Sequence, residues 1–153
     1  MAGLTQEEHN MFKKVLVPVD LNEPAFSEKA MALALREMDD QDSELHLIAI
    51  VPGFTNSYVA SYFSESTHKK AVKELAQKLK EYANSHVPEG VKSVLKVYEG
   101  SPAEQIVAYI KKQKIDLVIM SAHHRNPVDE FLLGSVSARV AERSRCSVLL
   151  IKN

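Results

Sequence analysis

Residues 121–136, SAHHRNPVDEFLLGSV, join an apolar run to a segment of helical character. An α/β protein holds a phosphate at such a place, because the first N–H groups of a helix lack partners and its dipole favours an anion. Gly134 sits at that helix mouth and lets backbone approach a ligand closely, and Ser135 and Ser137 add hydroxyl donors. The plainer account of Ser135 is a helix cap. Asp20 ends the run KKVLVPVD, where a carboxylate can accept hydrogen bonds from the two vicinal hydroxyls of a ribose. With Asn22 and Pro24 so close, a turn acid or cap is the simpler account of Asp20 taken alone. His124 or Arg125 would face a phosphate and supply charge, whereas His123 reads as a surface histidine. No Cys/His spacing resembles a zinc site. Walker and dinucleotide fingerprints are absent. No Ser/His/Asp order or paired carboxylate supports catalysis, and Cys146, opening an apolar run, reads as structural.

The elements that must position these residues follow from periodicity. Residues 13–20, 44–52, 115–120 and 146–152 are short apolar, β-branched runs and are expected to be buried strands. Residues 91–100 alternate in part, and Lys92 and Lys96 suit an edge strand, where charge discourages further pairing. Helical spacing is expected over 24–38, through Phe26, Ala30, Leu33 and Ala34. A longer helix is expected over 66–86, with Val72, Leu75, Leu79, Tyr82 and His86 on one stripe. Ser101, Pro102 and Glu104 spell a capping box at the start of a helix over 101–114, and 135–144 is a last helix. Strands alternating with helices imply a parallel sheet covered on both faces. Residues 53–65 hold two Phe and two Tyr without a period; the rings fill gaps between helices, or cover a pocket or partner.

The chain has 153 residues, 45% apolar and 25% charged, which suits one soluble domain. A net charge of −1 argues against non-specific nucleic-acid binding. One cysteine excludes an intrachain disulfide and fits a reducing compartment. The N-terminus lacks the basic start and apolar run of a secretory signal, and no stretch approaches the length of a membrane span. A cytoplasmic protein is expected, with residues 1–11 as an N-terminal extension and 12–153 as the domain. In the extension Thr5 and Glu8 would cap a short helix, or the segment is a frayed tail.

KKVLVPVD, GSPAEQIV, DLVIMSAHH followed by LLGSVSARV, and CSVLLIK together resemble the universal stress protein family, over about residues 12–152. The resemblance implies an open five-stranded parallel sheet, order 3-2-1-4-5, with helices on both faces, of the Rossmann-like, adenine nucleotide alpha-hydrolase-like kind. It implies a homodimer paired through the C-terminal strand, 147–152. Family members divide into those that bind ATP and those that do not. The binding motif is Gly, two residues, Gly, nine residues, Gly, then Ser or Thr. Here the spacing is kept as Ser121, His124, Gly134 and Ser135, with the first two glycines replaced. Carried over, Pro18, Asp20, Ile50 and Met120 fall on the adenosine side. Gly134, Ser135, Val136 and Ser137 fall on the phosphate side, and Ser121 and His124 hold phosphate-loop positions without matching them.

The resemblance thus implies a non-enzymatic stress-response regulator that binds ATP, or AMP or ADP, with Mg as a further candidate. The alternative is a protein-interaction module with a degenerate pocket, its partner met by Phe54, Tyr58, Tyr62 and Phe63. A slow ATPase ranks last.

Overall fold

The computed structural model describes residues 12–38, 42–52, 65–122 and 134–152. In chain order these form β1 (Lys14–Pro18), a 3-10 turn (Pro24–Ser27), α1 (Glu28–Arg36), β2 (Glu44–Pro52) and α2 (Glu65–His86). β3 (Ser93–Gly100), α3 (Pro102–Gln113), β4 (Leu117–Ser121), α4 (Ser135–Arg143) and β5 (Ser147–Ile151) complete the order. All strand pairs are parallel, and the sheet runs β3-β2-β1-β4-β5.

Side chains alternate across the strands, so each central strand feeds two cores. Val15, Val17, Leu45, Leu47 and Ile119 pack with α1 and α2 residues such as Met31 and Leu79. Leu16, Ile48, Val118 and Met120 pack with Ile106 and Ile110 of α3 and Val140 of α4. Burial of this kind contributes roughly 1.5–3 kcal/mol for each large apolar side chain. On α2 the expected stripe is buried in part: Leu79 and Tyr82 lie in the core with Leu75 against it, while Val72 and His86 are half-buried. β3 is an edge strand, and Lys92 and Lys96 are exposed. Gly90, in the turn before β3, has φ 90°, a conformation side-chained residues rarely adopt.

The last two helices start where expected, at Pro102 and Ser135; the departures lie in the first helix and in two caps. The helix expected over 24–38 opens as a 3-10 turn and ends at Arg36. Ser101 is the N-cap residue of α3, yet its side chain makes no cap hydrogen bond; its carbonyl instead accepts from Gln105 N at 3.0 Å. At α4 the N-cap is Gly134, with φ −58° and ψ 151°, and Ser135 is already helical. Ser135 therefore does not cap. The N-terminal extension, the 53–64 segment with its four aromatic rings, and the histidine pair lie outside the described residues.

Candidate functional site at the parting of two strands

β1 and β4 are neighbours, but they pair only at Val15–Leu117 and Leu16–Val118. Beyond that, β1 stays with β2, where Val19 N donates to Ile48 O at 2.8 Å. β4 stays with β5, where Ala122 N donates to Ile151 O at 2.8 Å. The carboxyl ends of β1 and β4 thus part at the point where strand order reverses, which is where open α/β sheets take ligands.

Period-two alternation puts Pro18, Ile50 and Met120 on the sheet face that carries α3 and α4. Met120 is buried there, and Ile50 packs against the same cluster. Pro18 and Ser121 are half-buried at the strand ends. Asp20 is exposed just past β1, and its Oδ1 accepts from Asn22 N at 3.0 Å and from Glu23 N at 3.4 Å. The simpler account of Asp20 is therefore observed: it is a turn acid. That turn also fixes its carboxylate at the strand end, with Oδ2 outside the turn.

α4 begins on the same side. Gly134 has no side chain to offer its helix, so the N–H groups of Ser135, Val136 and Ser137 lack an intrahelical partner. Ser137 Oγ is buried and donates to Gly134 O at 3.0 Å. Its hydroxyl proton is thus committed to the helix start, and Ser137 contributes backbone rather than a hydroxyl donor. At φ −58° Gly134 needs no glycine for its backbone angles; close approach at a buried position is what the missing Cβ allows. His124 lies outside the described residues.

The Universal stress protein family profile matches residues 11–152. The chain belongs to the universal stress protein family. A universal stress protein of Methanocaldococcus jannaschii is 29% identical over 153 residues, covering 98% of this chain and 88% of that one. The solved structure of MJ0577, a second universal stress protein of that organism, superposes with a TM-score of 0.77 at 26% identity, covering 94% of this chain and 97% of that one. A universal stress protein from Archaeoglobus fulgidus, solved in complex with dAMP, shares the fold: TM-score 0.61, 16% identity, 93% and 99% coverage. The expected family and strand order hold.

Sequence reasoning missed a polar group inside this universal stress protein fold. His46 of β2 is 2% exposed and touches Tyr109 of α3 and Glu44, which Lys92, just before β3, in turn bonds. Burial holds the His46 pKa below its usual value and pushes Tyr109 up to about 12. The hydrogen bond from Lys92 holds Glu44 below the usual carboxylate range. Tyr98, whose backbone is in register with Ile50, meets Tyr109 edge-to-face with centroids 5.9 Å apart, linking this group to the wall of the candidate site. No local pattern could have announced it, since His46 and Tyr109 are 63 residues apart. Cys146 is half-buried and burial raises its thiol pKa, as suits a structural cysteine.

Proposed function

We propose that this chain is a stress-response regulator that binds an adenine nucleotide at the parted ends of β1 and β4. The observation that carries the reading is the separation of those strands beyond Leu16–Val118, beside a helix whose N-cap is a glycine. Pro18, Ile50 and Met120 would meet the adenosine, and Asp20, through the oxygen its turn does not use, the ribose hydroxyls. The N–H groups of Ser135, Val136 and Ser137, with Ser135 Oγ, would hold phosphate, and Ser121 and His124 would flank it in place of glycines. The donor set fits an anion: backbone N–H groups and a helix dipole, which need no side-chain charge. The A. fulgidus relative's dAMP makes a monophosphate as good a candidate as ATP or ADP. Among the described residues no His, Cys, Asp and Glu cluster could hold a metal ion.

The same reading takes the protein as a cytoplasmic homodimer. No described helix is long and apolar enough to cross a membrane. β5 leaves one edge of the sheet open, and Leu149 on it is the exposed large hydrophobic residue among those described, at 42%. Such an edge invites pairing with a second chain.

The test is thermal unfolding with AMP, ADP and ATP in turn. A ligand at a hundred times its Kd adds about 2.7 kcal/mol, a rise of several degrees, and Asp20→Ala and Gly134→Val should abolish it. Unchanged melting in all three nucleotides sinks the reading. Nucleotide turnover that survives repurification and vanishes in Gly134→Val would instead point to an ATPase.

A further inference from the structure

At the opposite end of the sheet, where β4 and β5 begin, the last turns of α3 and α4 flank a cavity of about 520 Å³. Four cationic side chains line it: Lys111, Lys114, Arg143 and Arg145. None of them is ion-paired among the described residues. The carboxylate on the rim, Asp116, is turned towards the start of β1, where its Oδ2 accepts from Lys13 N at 3.1 Å and Lys14 N at 2.9 Å. A chain of net charge −1 thus gathers four positive charges against one carboxylate on one opening, and a concave site concentrates such a field.

Helix dipoles account for part of this, since cations are favoured near helix C-termini. Lys111 and Arg143 sit in last turns and fit that account. Arg145 lies beyond the helices and does not, and Lys114, the C-cap of α3, is set apart by its backbone. Lys114 has φ 54° and ψ 51°, and it is the one non-glycine residue with positive φ among those described. The left-handed conformation costs a side-chained residue roughly 1–2 kcal/mol, and glycine is the usual occupant of this helix-ending position. A lysine at a position that glycine usually holds, lining the same opening as three other cations, is strain of the kind found at functional sites.

We propose that this cavity binds a small soluble anion carrying two or more phosphate or carboxylate groups. The arginines supply planar forks that match either oxyanion, the lysines supply mobile charge, and Val107 and Ile110 give an apolar wall for the ligand's body. The volume falls within the roughly 300–1,000 Å³ of small-molecule sites. The site is independent of the nucleotide reading and lies at the other end of the strands.

The experiment is an NMR titration with tripolyphosphate, and separately with citrate, at low salt. It uses protein carrying Asp20→Ala and Gly134→Val, so that the nucleotide site takes no part and its failure would not be mistaken for this one. Saturable amide shifts are expected at residues 111–116 and 143–147, at ligand concentrations of about 1 mM or below. Arg145→Ala should weaken binding about tenfold or more. Lys112→Ala, an exposed cation of the same helix turn outside the cavity lining, should leave it within about twofold. A preference between the two probes distinguishes a phosphate site from a carboxylate site. Absence of saturable shifts with both probes overturns the proposal. So does equal weakening by Arg145→Ala and Lys112→Ala, which would reduce the attraction to diffuse surface charge.

Discussion

His46 Nδ1 lies 2.6 Å from Tyr109 Oη, and His46 Nε2 lies 3.1 Å from Glu44 Oε2. A neutral ring protonated on Nε2 satisfies both contacts: the N–H donates to the carboxylate, and Nδ1 accepts from the phenol. Tyr109→Phe removes the phenol and leaves a buried ring nitrogen without a partner, at an expected cost of about 1–3 kcal/mol. In Tyr109→Phe with His46→Leu no polar atom is stranded, so the pair should cost less than the sum of the single changes. Urea denaturation of the three variants checks this, and simple additivity would show that the two side chains do not act together.

The same ring makes stability depend on pH. Its folded pKa is depressed by burial, so below about 6.5 the unfolded chain takes up a proton that the folded chain does not. Stability from His46 is therefore present above that pH and lost as pH falls towards the depressed folded value. Glu44, also depressed, adds a further loss below its ordinary value of 4.5. At the other end, burial raises Tyr82 and Tyr109 to about 12, so stability falls as pH rises from the unfolded value of 10 through 12. Urea midpoints at pH 7.5 and 5.5 should differ, and the difference should shrink in His46→Leu. An unchanged difference would place the acid sensitivity elsewhere.

The sequence made the strands legible because their signal is local. β2 falls on the expected residues 44–52, since a β-branched run is bounded there by a turn and a proline. The order β3-β2-β1-β4-β5 came from the family resemblance, because periodicity says nothing about which strands are neighbours. Helix starts are local too, at Pro102 and Ser135 as expected, but caps are less legible. Ser135 looks the better cap, but the chain bends at Gly134, and cap position depends on backbone angles rather than residue preference alone. At the candidate site Asp20 proved a turn acid at the strand end, and Ser137 proved committed to Gly134. The basic cavity was not legible, since it needs the ends of two helices and the starts of two strands at once.

Ser137 offers a way to separate support from contact. Its Oγ donates to Gly134 O within the buried helix start. Ser137→Ala should lower stability by about 1 kcal/mol while weakening nucleotide only a few-fold, whereas Gly134→Val should abolish binding. Thermal unfolding with and without AMP reads both effects together. If Ser137→Ala keeps its stability and loses binding outright, the hydroxyl turns to the ligand instead.

Leu149 tests the edge. A charge on an open strand blocks edge-to-edge pairing, so Leu149→Lys should convert a β5-paired dimer to monomer in sedimentation velocity. At an exposed position the folded chain itself should change by no more than about 0.5 kcal/mol. A dimer that survives Leu149→Lys would move the interface away from β5.

Lys114 sets stability against binding. Lys114→Gly relieves a left-handed conformation worth roughly 1–2 kcal/mol, offset by about 0.4–1 kcal/mol for the greater freedom of glycine in the unfolded chain. The expected result is a protein whose stability in urea is between unchanged and about 1.6 kcal/mol higher, with weaker binding of tripolyphosphate. Other gains are small, since Ile115 N already donates to Ile110 O at 3.1 Å and closes the helix. Should Lys114→Gly prove less stable than the parent, the lysine contributes more to holding the fold than its backbone costs, and its place on the cavity rim would need no ligand to explain it.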